Sequence, residues 1–428
     1  MHINISMKKI LVLATIVLSS NASFGQNQPA SSPASSGDPF LPYLTGKPPV
    51  IAEDLGTETR PDGIKVHRFV FKSRVIETPT GPMPSMVFAA IAHPAIASKH
   101  PAIMRLHGGG GSADINSAVG SAKLGYVCIV LDIPGIAGAP GKSPKSVGPW
   151  DKMPKITAKP DPTHSGLFDA VLGSIQAFYM LRSQPDVDIN KMGVAGASWG
   201  GYTSTMVASI LNKDLAASWS VFGSGSFMEG ANEKPNVARL PDAERAEFIK
   251  YLDPGSRAGN ITKPFFIATA SNDRHWSWMA VQATLGAMKG PVNQMYSPNT
   301  NHMIKYPGGS EMIPFFNQYL KGGPPMPKIS ITKTKKLDDG SVQVQYSVAN
   351  AVKPVDAKVY YTYPDEQPVW TERHWSFVAA VPGAKGYTAT IPASAAKGTT
   401  DLFAIITDIH PELGQDSTSV SSLIQRIK

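Results

Sequence analysis

The sequence predicts an α/β protein, a doubly wound and mostly parallel sheet followed by a C-terminal β-sandwich. Short apolar runs bounded by glycine alternate with segments of helical periodicity up to about residue 323, the pattern of βαβ units whose strands are buried on both faces. One of these strands passes into a helix through Gly196-Ala-Ser-Trp-Gly200. Past the proline-rich stretch 321–327 the apolar residues alternate with period two, as in short antiparallel strands.

At the N-terminus, Lys8 and Lys9 precede the apolar run Ile10 to Leu18, and the small residues Ala22, Ser23 and Gly25 follow. That order is the one of a secretory signal, with cleavage expected near Gly25 or Gln26. The run is too short to span a bilayer, and no cysteine follows it for lipid attachment. Export to a bacterial periplasm or beyond is the expectation. Residues 26–63 form a leader and N-terminal segment, in which Gln26 to Gly37 is rich in Ser, Pro, Ala, Asn and Gln.

The catalytic unit is expected over 64–323. His67 to Arg74 and Ser85 to Ala92 read as strands joined by the turn-forming segment Thr78 to Pro84. Ala102 to Leu106 and Tyr126 to Asp132 are buried strands. Between 164 and 181, Leu167, Ala170, Val171, Ile175, Phe178 and Leu181 recur at helical spacing. Asp186 to Asn190 makes a polar approach to the strand Met192 to Ala195, and the helix Tyr202 to Leu211 follows. Pro264 to Ala270 and Val292 to Tyr296 are further strands; Ser277 to Met288 and Met312 to Tyr319 are helices. Lys321 to Pro327 marks a boundary because proline removes donors and ends the preceding helix. From 327 to 428, the alternations Val342/Val344/Tyr346, Val359/Tyr361 and Tyr387/Ala389/Ile391, separated by turns such as Asp338-Asp339-Gly340, predict the sandwich.

Hydrophobic content of 42% and charged content of 17% describe a globular chain, neither disordered nor integral to a membrane. Forty basic and thirty-two acidic residues leave +8, or +6 without the two signal lysines. The excess is spread out; the one cluster, Lys333, Lys335 and Lys336, lies at a strand end beside the acids of a turn, so nucleic-acid binding is not indicated. Cys128, the single cysteine, sits in an apolar run and can form no internal disulfide. No His-Glu-x-x-His, paired cysteines or calcium loop is present, so neither a metal nor a cofactor is implied.

The Gly-x-Ser-x-Gly at 196–200 places a serine on a sharp strand-to-helix turn, where only small residues fit two positions before and after it. A serine hydroxyl needs a base, and the base needs an orienting carboxylate. Asp273, after the strand ending at Ala270, and His302, after the strand ending at Tyr296, follow Ser198 in the order acid then base and leave the same sheet edge. His275 and Asp253 are the rivals; the first sits at the start of a helix and the second precedes the wrong strand. An oxyanion needs two fixed donors, expected from the amide of Trp199 and from Gly108 or Gly109 in His107-Gly-Gly-Gly-Gly111. Gly135 to Ser143 ends in Gly-Lys-Ser, but its spacing does not fit a phosphate loop. His107 and Trp276 are expected at the substrate pocket. Trp150, Trp199, Trp276 and Trp278 are candidates to stack on sugar rings.

These motifs resemble the α/β-hydrolase superfamily over 64–323, and Asp188-Ile-Asn-Lys-Met-Gly-Val-Ala-Gly-Ala-Ser198 is similar to its branch of dienelactone hydrolases, acetyl xylan esterases and prolyl oligopeptidases. The resemblance implies Ser198 as nucleophile, Asp273 as acid, His302 as base and the His107 loop as part of the oxyanion hole. Dienelactone hydrolases carry cysteine at the nucleophile position, which points away from lactone chemistry. The Arg-Gly-Gln motif of the acetyl xylan and cephalosporin deacetylase family is absent. Trp370-Thr-Glu-Arg-His-Trp375 resembles the tail of the PhoPQ-activated pathogenicity-related proteins. The expected function is an esterase removing short acyl groups from a small-molecule or polysaccharide ester. A peptidase is the alternative, although fewer than about 65 residues precede the catalytic unit, too few for a gating propeller; a non-catalytic glycan- or partner-binding protein is a third reading.

Overall fold

The computed structural model describes residues 37–138, 146–305, 307–395, 398–409 and 417–428; the signal and nearly all of the leader lie outside the described residues, as does most of the Gly-Lys-Ser segment. In chain order the catalytic unit comprises β1 (Ile51–Thr59), β2 (Lys65–Thr78), β3 (Gly81–His93), β4 (His100–Leu106), α1 (Ile115–Lys123), β5 (Val127–Leu131), α2 (Gly166–Arg182), β6 (Val187–Ala197), α3 (Trp199–Ile210) and β7 (Ala217–Val221). It continues through α4 (Lys234–Ala238), α5 (Asp242–Leu252), α6 (Pro254–Arg257), β8 (Phe265–Ala270), α7 (Trp278–Ala287), β9 (Val292–Ser297) and α8 (Met312–Lys321).

One sheet of nine strands, in the order β1-β2-β3-β5-β4-β6-β7-β8-β9, forms the centre. From β5 to β9 every neighbouring pair is parallel, while β1, β2 and β3 add antiparallel strands at one side. The strand order reverses at the β4/β6 pair, so the loops leaving these two strands diverge and open a crevice at their carboxyl ends. The His107 loop and Ser198 leave from this crevice.

The core lies on both faces of the sheet, one buried cluster holding Met104, Ile129 and Val194 and another Ile103, Phe266 and Met295. Helix α2 is buried from Gly166 to Leu181, which explains why it reads as apolar all round. Phe40 stacks on Phe168 with centroids 4.7 Å apart, and Arg74 holds the buried Asp169 through two bonds of 2.7 and 2.9 Å. Strand β6 starts at Val187 rather than Met192, because the polar stretch 187–190 prolongs the strand where it approaches the surface. Strands β1 and β7 and helices α1, α4, α5 and α6 have no counterpart among the elements predicted from sequence. β1 is exposed along almost its whole length and shows no apolar alternation, and β7 is only five residues long.

The C-terminal part folds as β10 (Lys328–Lys336), β11 (Val342–Ala349), β12 (Pro354–Thr362), β13 (Ser376–Ala379), β14 (Val381–Gly383), β15 (Gly386–Ile391), β16 (Thr400–Ile409), β17 (Ser417–Ser421) and β18 (Gln425–Ile427). One sheet runs β10-β11-β15-β14; the second runs β13-β12-β16-β17, with β18 also on β16. Val342, Val344 and Tyr346 from the first face Val359, Leu402 and Ala404 from the second, and this apolar layer continues into Phe315 and Phe316 of α8. The sandwich also covers the exposed edge of the central sheet: Ser421 Oγ accepts from the Tyr296 amide at 3.2 Å, and Gln294 Nε2 donates to Ser421 O at 2.6 Å. Trp278 and Tyr296 pack there on Tyr360, Trp375 and Phe403.

Glu311 lies buried in this junction, accepting from the Gly309 amide at 2.8 and 3.0 Å and from the Ser419 amide at 3.4 Å. Burial outweighs these bonds and pushes its carboxyl from 4.5 up to about 7. The folded state therefore holds a proton that the unfolded chain releases near 4.5. The associated stability is complete below that pH and is lost as pH rises through about 7. Thermal unfolding of Glu311→Gln against the native chain is expected to show a gap that changes between pH 4.5 and 7.5 as the native chain loses this increment. A gap constant with pH would rule out Glu311 as its source.

Candidate active site

Strand β6 delivers Ser198 at φ 56° and ψ −121°, a region that non-glycine residues rarely occupy. Two neighbours make the turn possible. A Cβ on Gly196 would run into the Gly200 carbonyl, and one on Gly200 would meet the carbonyls of Leu106 and His107, so the strand, the helix and the neighbouring loop can close only around glycine. The Ser198 amide donates to Val221 O at 2.8 Å, which pins the turn to the end of β7. Helix α3 begins at Trp199, so the Trp199 amide is one of the unpaired N-terminal donors at the positive end of a helix.

Ser198 Oγ lies 2.9 Å from His302 Nε2, and His302 Nδ1 lies 2.9 Å from Asp273 Oδ2. Asp273 is fully buried, and its other oxygen accepts from the amides of His275 at 2.7 Å and Trp276 at 3.3 Å. With a carboxylate on one side, Nδ1 carries the imidazole proton and Nε2 is left to accept from the serine hydroxyl. The loops carrying acid and base are tied together: Asn272 N donates to Thr300 O, Asn299 N to Ser271 Oγ and Arg274 N to Asn301 Oδ1, at 2.9–3.1 Å.

Aromatic rings enclose the imidazole. Phe222 lies 4.3 Å from His302 by centroids, His275 meets it edge-on at 4.5 Å, and Trp276 is near-parallel at 6.2 Å. Burial lowers the pKa of His275, and the neighbouring His302 adds to this. Phe222 adopts φ 64°, a strained conformation for a bulky residue, between β7 and the glycine-serine stretch 223–226. This ring was not predicted; strand β7 followed by Phe-Gly-Ser-Gly-Ser is the signal that marks it.

The loop 107–111 lies against the Ser198 turn, where a Cβ on Gly108 would stand 3.3 Å from Ser198 Cβ and one on Gly109 would stand 2.9 Å from Trp199 Cδ1. The amides of Gly110 and Gly111 are used by Ile136 O and Gly108 O; those of Gly108 and Gly109 have no backbone acceptor among the described residues. His107 belongs to the loop's support rather than to the substrate pocket expected of it. Its Nε2 accepts from the Ile133 amide at 2.9 Å, which leaves Nδ1 to donate to Gly108 O at 2.7 Å, and burial lowers its pKa. Trp276 is buried against Trp199 and the imidazole. Trp278 packs instead in the junction with the sandwich, in one cluster with Tyr296, Tyr360 and Trp375. Asp253 accepts from the amides of Ser226, Phe227 and Gly255 and so braces a loop.

One contribution to the site comes from the C-terminal sandwich. Asn272 Nδ2 donates to Arg373 O at 2.7 Å, and Asn299 exchanges two bonds with the Trp375 backbone at 2.7 and 2.8 Å. Alternation within the tail gives no hint of this contact, since the partners are about 75 to 100 residues apart in the chain. Among the described residues no helix is long and apolar enough to cross a membrane, and no group of three or more His, Cys, Asp and Glu gathers as metal ligands. Cys128 is buried in β5, its thiol pushed up to about 11 by burial.

The acetyl xylan esterase (AXE1) family matches residues 63–257, and the PhoPQ-activated pathogenicity-related protein family matches residues 162–367. The first stretch holds Ser198 and the His107 loop; the second holds Ser198, Asp273 and His302 and ends just before Trp370. Comparison with curated proteins finds no match. Among solved structures, the acetyl xylan esterase from Paenibacillus sp. R4 is 17% identical with a TM-score of 0.51, over 68% of this chain and 98% of that one. Acetyl xylan esterase 1 from Thermoanaerobacterium sp. JW/SL YS485 is 18% identical with a TM-score of 0.49, over 62% and 87%. The nine-stranded sheet and the strand-to-helix turn at Ser198 agree with the likeness to the Paenibacillus structure: the chain has the α/β-hydrolase fold, and it is similar to the acetyl xylan esterase family over residues 63–257.

Proposed function

We propose that the protein is an exported esterase that removes short acyl groups from an alcohol through an acyl-enzyme on Ser198. The carrying observation is the unbroken chain of bonds from Ser198 Oγ through the His302 ring to Asp273, 2.9 Å at each step. His302 takes the serine proton as Oγ attacks the ester carbonyl; the oxyanion that forms faces the amides of Trp199 and of Gly108 or Gly109, each donor worth about 3–4 kcal/mol when lost. His302 Nε2–H then protonates the departing alcohol, and a water activated by the same nitrogen hydrolyses the acyl-enzyme. The signal-like segment Lys8 to Gly25 supports export, and the acetyl xylan esterase family match supports a small acyl group.

The test is a series of p-nitrophenyl esters from acetyl to decanoyl beside proline-directed chromogenic peptides, with fluorophosphonate labelling mapped by peptide mass. Turnover greatest on acetyl or butyryl esters, blocked by label on Ser198, is expected. Peptide cleavage with inert esters would overturn the proposal in favour of a peptidase.

A further inference from the structure

The candidate acid and base stand on two loops at one end of the central sheet. Strand β9 is its last strand, so the loop that carries His302 has a neighbour from that sheet on one side only, the loop that follows β8 and carries Asp273. Both loops bond to the sandwich segment 373–375. Asn299 lies in the left-handed region at φ 55°, and its side chain takes both backbone groups of Trp375, accepting from the amide at 2.7 Å and donating to the carbonyl at 2.8 Å. Asn272 Nδ2 donates to Arg373 O at 2.7 Å, while Asn272 Oδ1 accepts from the Ser271 hydroxyl, which itself accepts from the Asn299 amide. One hydrogen-bond network thus joins the acid loop, the base loop and the sandwich.

The sandwich side of this network is firmly held. Asp401 of β16 is fully buried and binds Arg426 through two bonds of 2.7 Å and Arg373 through one of 3.0 Å. Arg373 Nε donates in turn to Gln367 O at 2.8 Å, and the buried Trp375 ring packs on Phe403 with centroids 5.0 Å apart. The backbone groups of Arg373 and Trp375 are therefore presented at set positions. Asn272 immediately precedes Asp273, and Asn299 lies three residues before His302, so what holds the two asparagines also holds the carboxylate against the imidazole. Transfer of the serine proton depends on the 2.9 Å approaches on both sides of that ring, and a displacement of about 1 Å costs roughly 100-fold in rate.

We propose that Asn272 and Asn299 are positioning residues, through which the C-terminal sandwich sets the approach of Asp273 to His302 and so acts on turnover rather than on substrate affinity. The proposal rests on the esterase reading, with Asp273 as acid and His302 as base. Its test removes both clamps, as Asn272→Ala with Asn299→Gly, because glycine keeps the left-handed backbone without strain. On p-nitrophenyl acetate, kcat is expected to fall roughly 100-fold, with KM changed less than about threefold. A general weakening of the fold would multiply with any other lesion, so the same pair is also combined with Asp273→Asn. There it is expected to cost less than about threefold more, since the base has already lost the partner that the clamps align. If the double variant melts below the assay temperature, Asn299→Gly alone is measured, with about a tenfold loss of kcat expected. Unchanged kcat in a folded clamp variant, or the same fold-loss with and without Asp273, would overturn the proposal. Failure of the esterase reading shows separately, as a native chain inert toward p-nitrophenyl acetate.

Discussion

Ser198→Ala is expected to lower kcat on p-nitrophenyl acetate by roughly 10⁶-fold, with the fold retained. The size follows from the geometry. Ser198 Oγ is the hydroxyl within hydrogen-bonding distance of His302 Nε2, and it is carried at the N-terminus of α3 beside the amides that would face an oxyanion. Without it, the oxyanion donors and substrate binding supply only the residual catalysis, about 10³- to 10⁴-fold over water. The measurement is steady-state turnover checked by active-site titration, so that traces of native enzyme are counted. Retention of more than about 1% of the rate would place the nucleophile elsewhere.

Asp273→Asn is expected to cost roughly 10⁴-fold in kcat, with KM changed only a few-fold and the melting temperature nearly constant. The reason lies in the two oxygens of Asp273. One accepts from the amides of His275 and Trp276, and an asparagine carbonyl can keep those bonds. Its amide nitrogen is then turned toward His302 Nδ1, the atom that must carry a proton. The imidazole responds by adopting the opposite tautomer, with hydrogen on Nε2, and can no longer accept from the serine hydroxyl. Burial leaves no water to relieve the mismatch, because Asp273 has no exposed surface. A loss below about 100-fold in an intact variant would show that this carboxylate is not what orients the base.

Elements whose burial and period agree were legible in the chain. The parallel strands β4, β5 and β8 are short apolar runs because both faces are covered, and α2 and α7 carry enough apolar residues to be seen. β1 was invisible because an edge strand exposed on both faces needs no apolar pattern, and its place comes from antiparallel pairing with β2. Of the candidate site, the nucleophile turn is written in local sterics, since glycine at 196 and 200 is demanded by carbonyls that would otherwise collide. Phe222 and His107 are different. The first is a hydrophobic residue whose role comes from meeting a ring 80 positions away in the chain, and the second is a histidine whose nitrogens are taken by two backbone groups.

By itself the sequence determined the class of fold, the order of its units and the position of Ser198, Asp273 and His302 at the ends of strands, because those depend on local periodicity, chain order and the size of side chains at a turn. The tertiary structure decided how far apart these groups stand, which imidazole nitrogen faces the serine, and that the sandwich reaches the rim of the site through Asn272 and Asn299. Such contacts join residues about 30 to 100 positions apart, and the periodicity of either segment carries no record of the other. They arise only when apolar faces such as those of Trp278, Tyr296, Trp375 and Phe403 are buried together and bring the polar groups beside them into register.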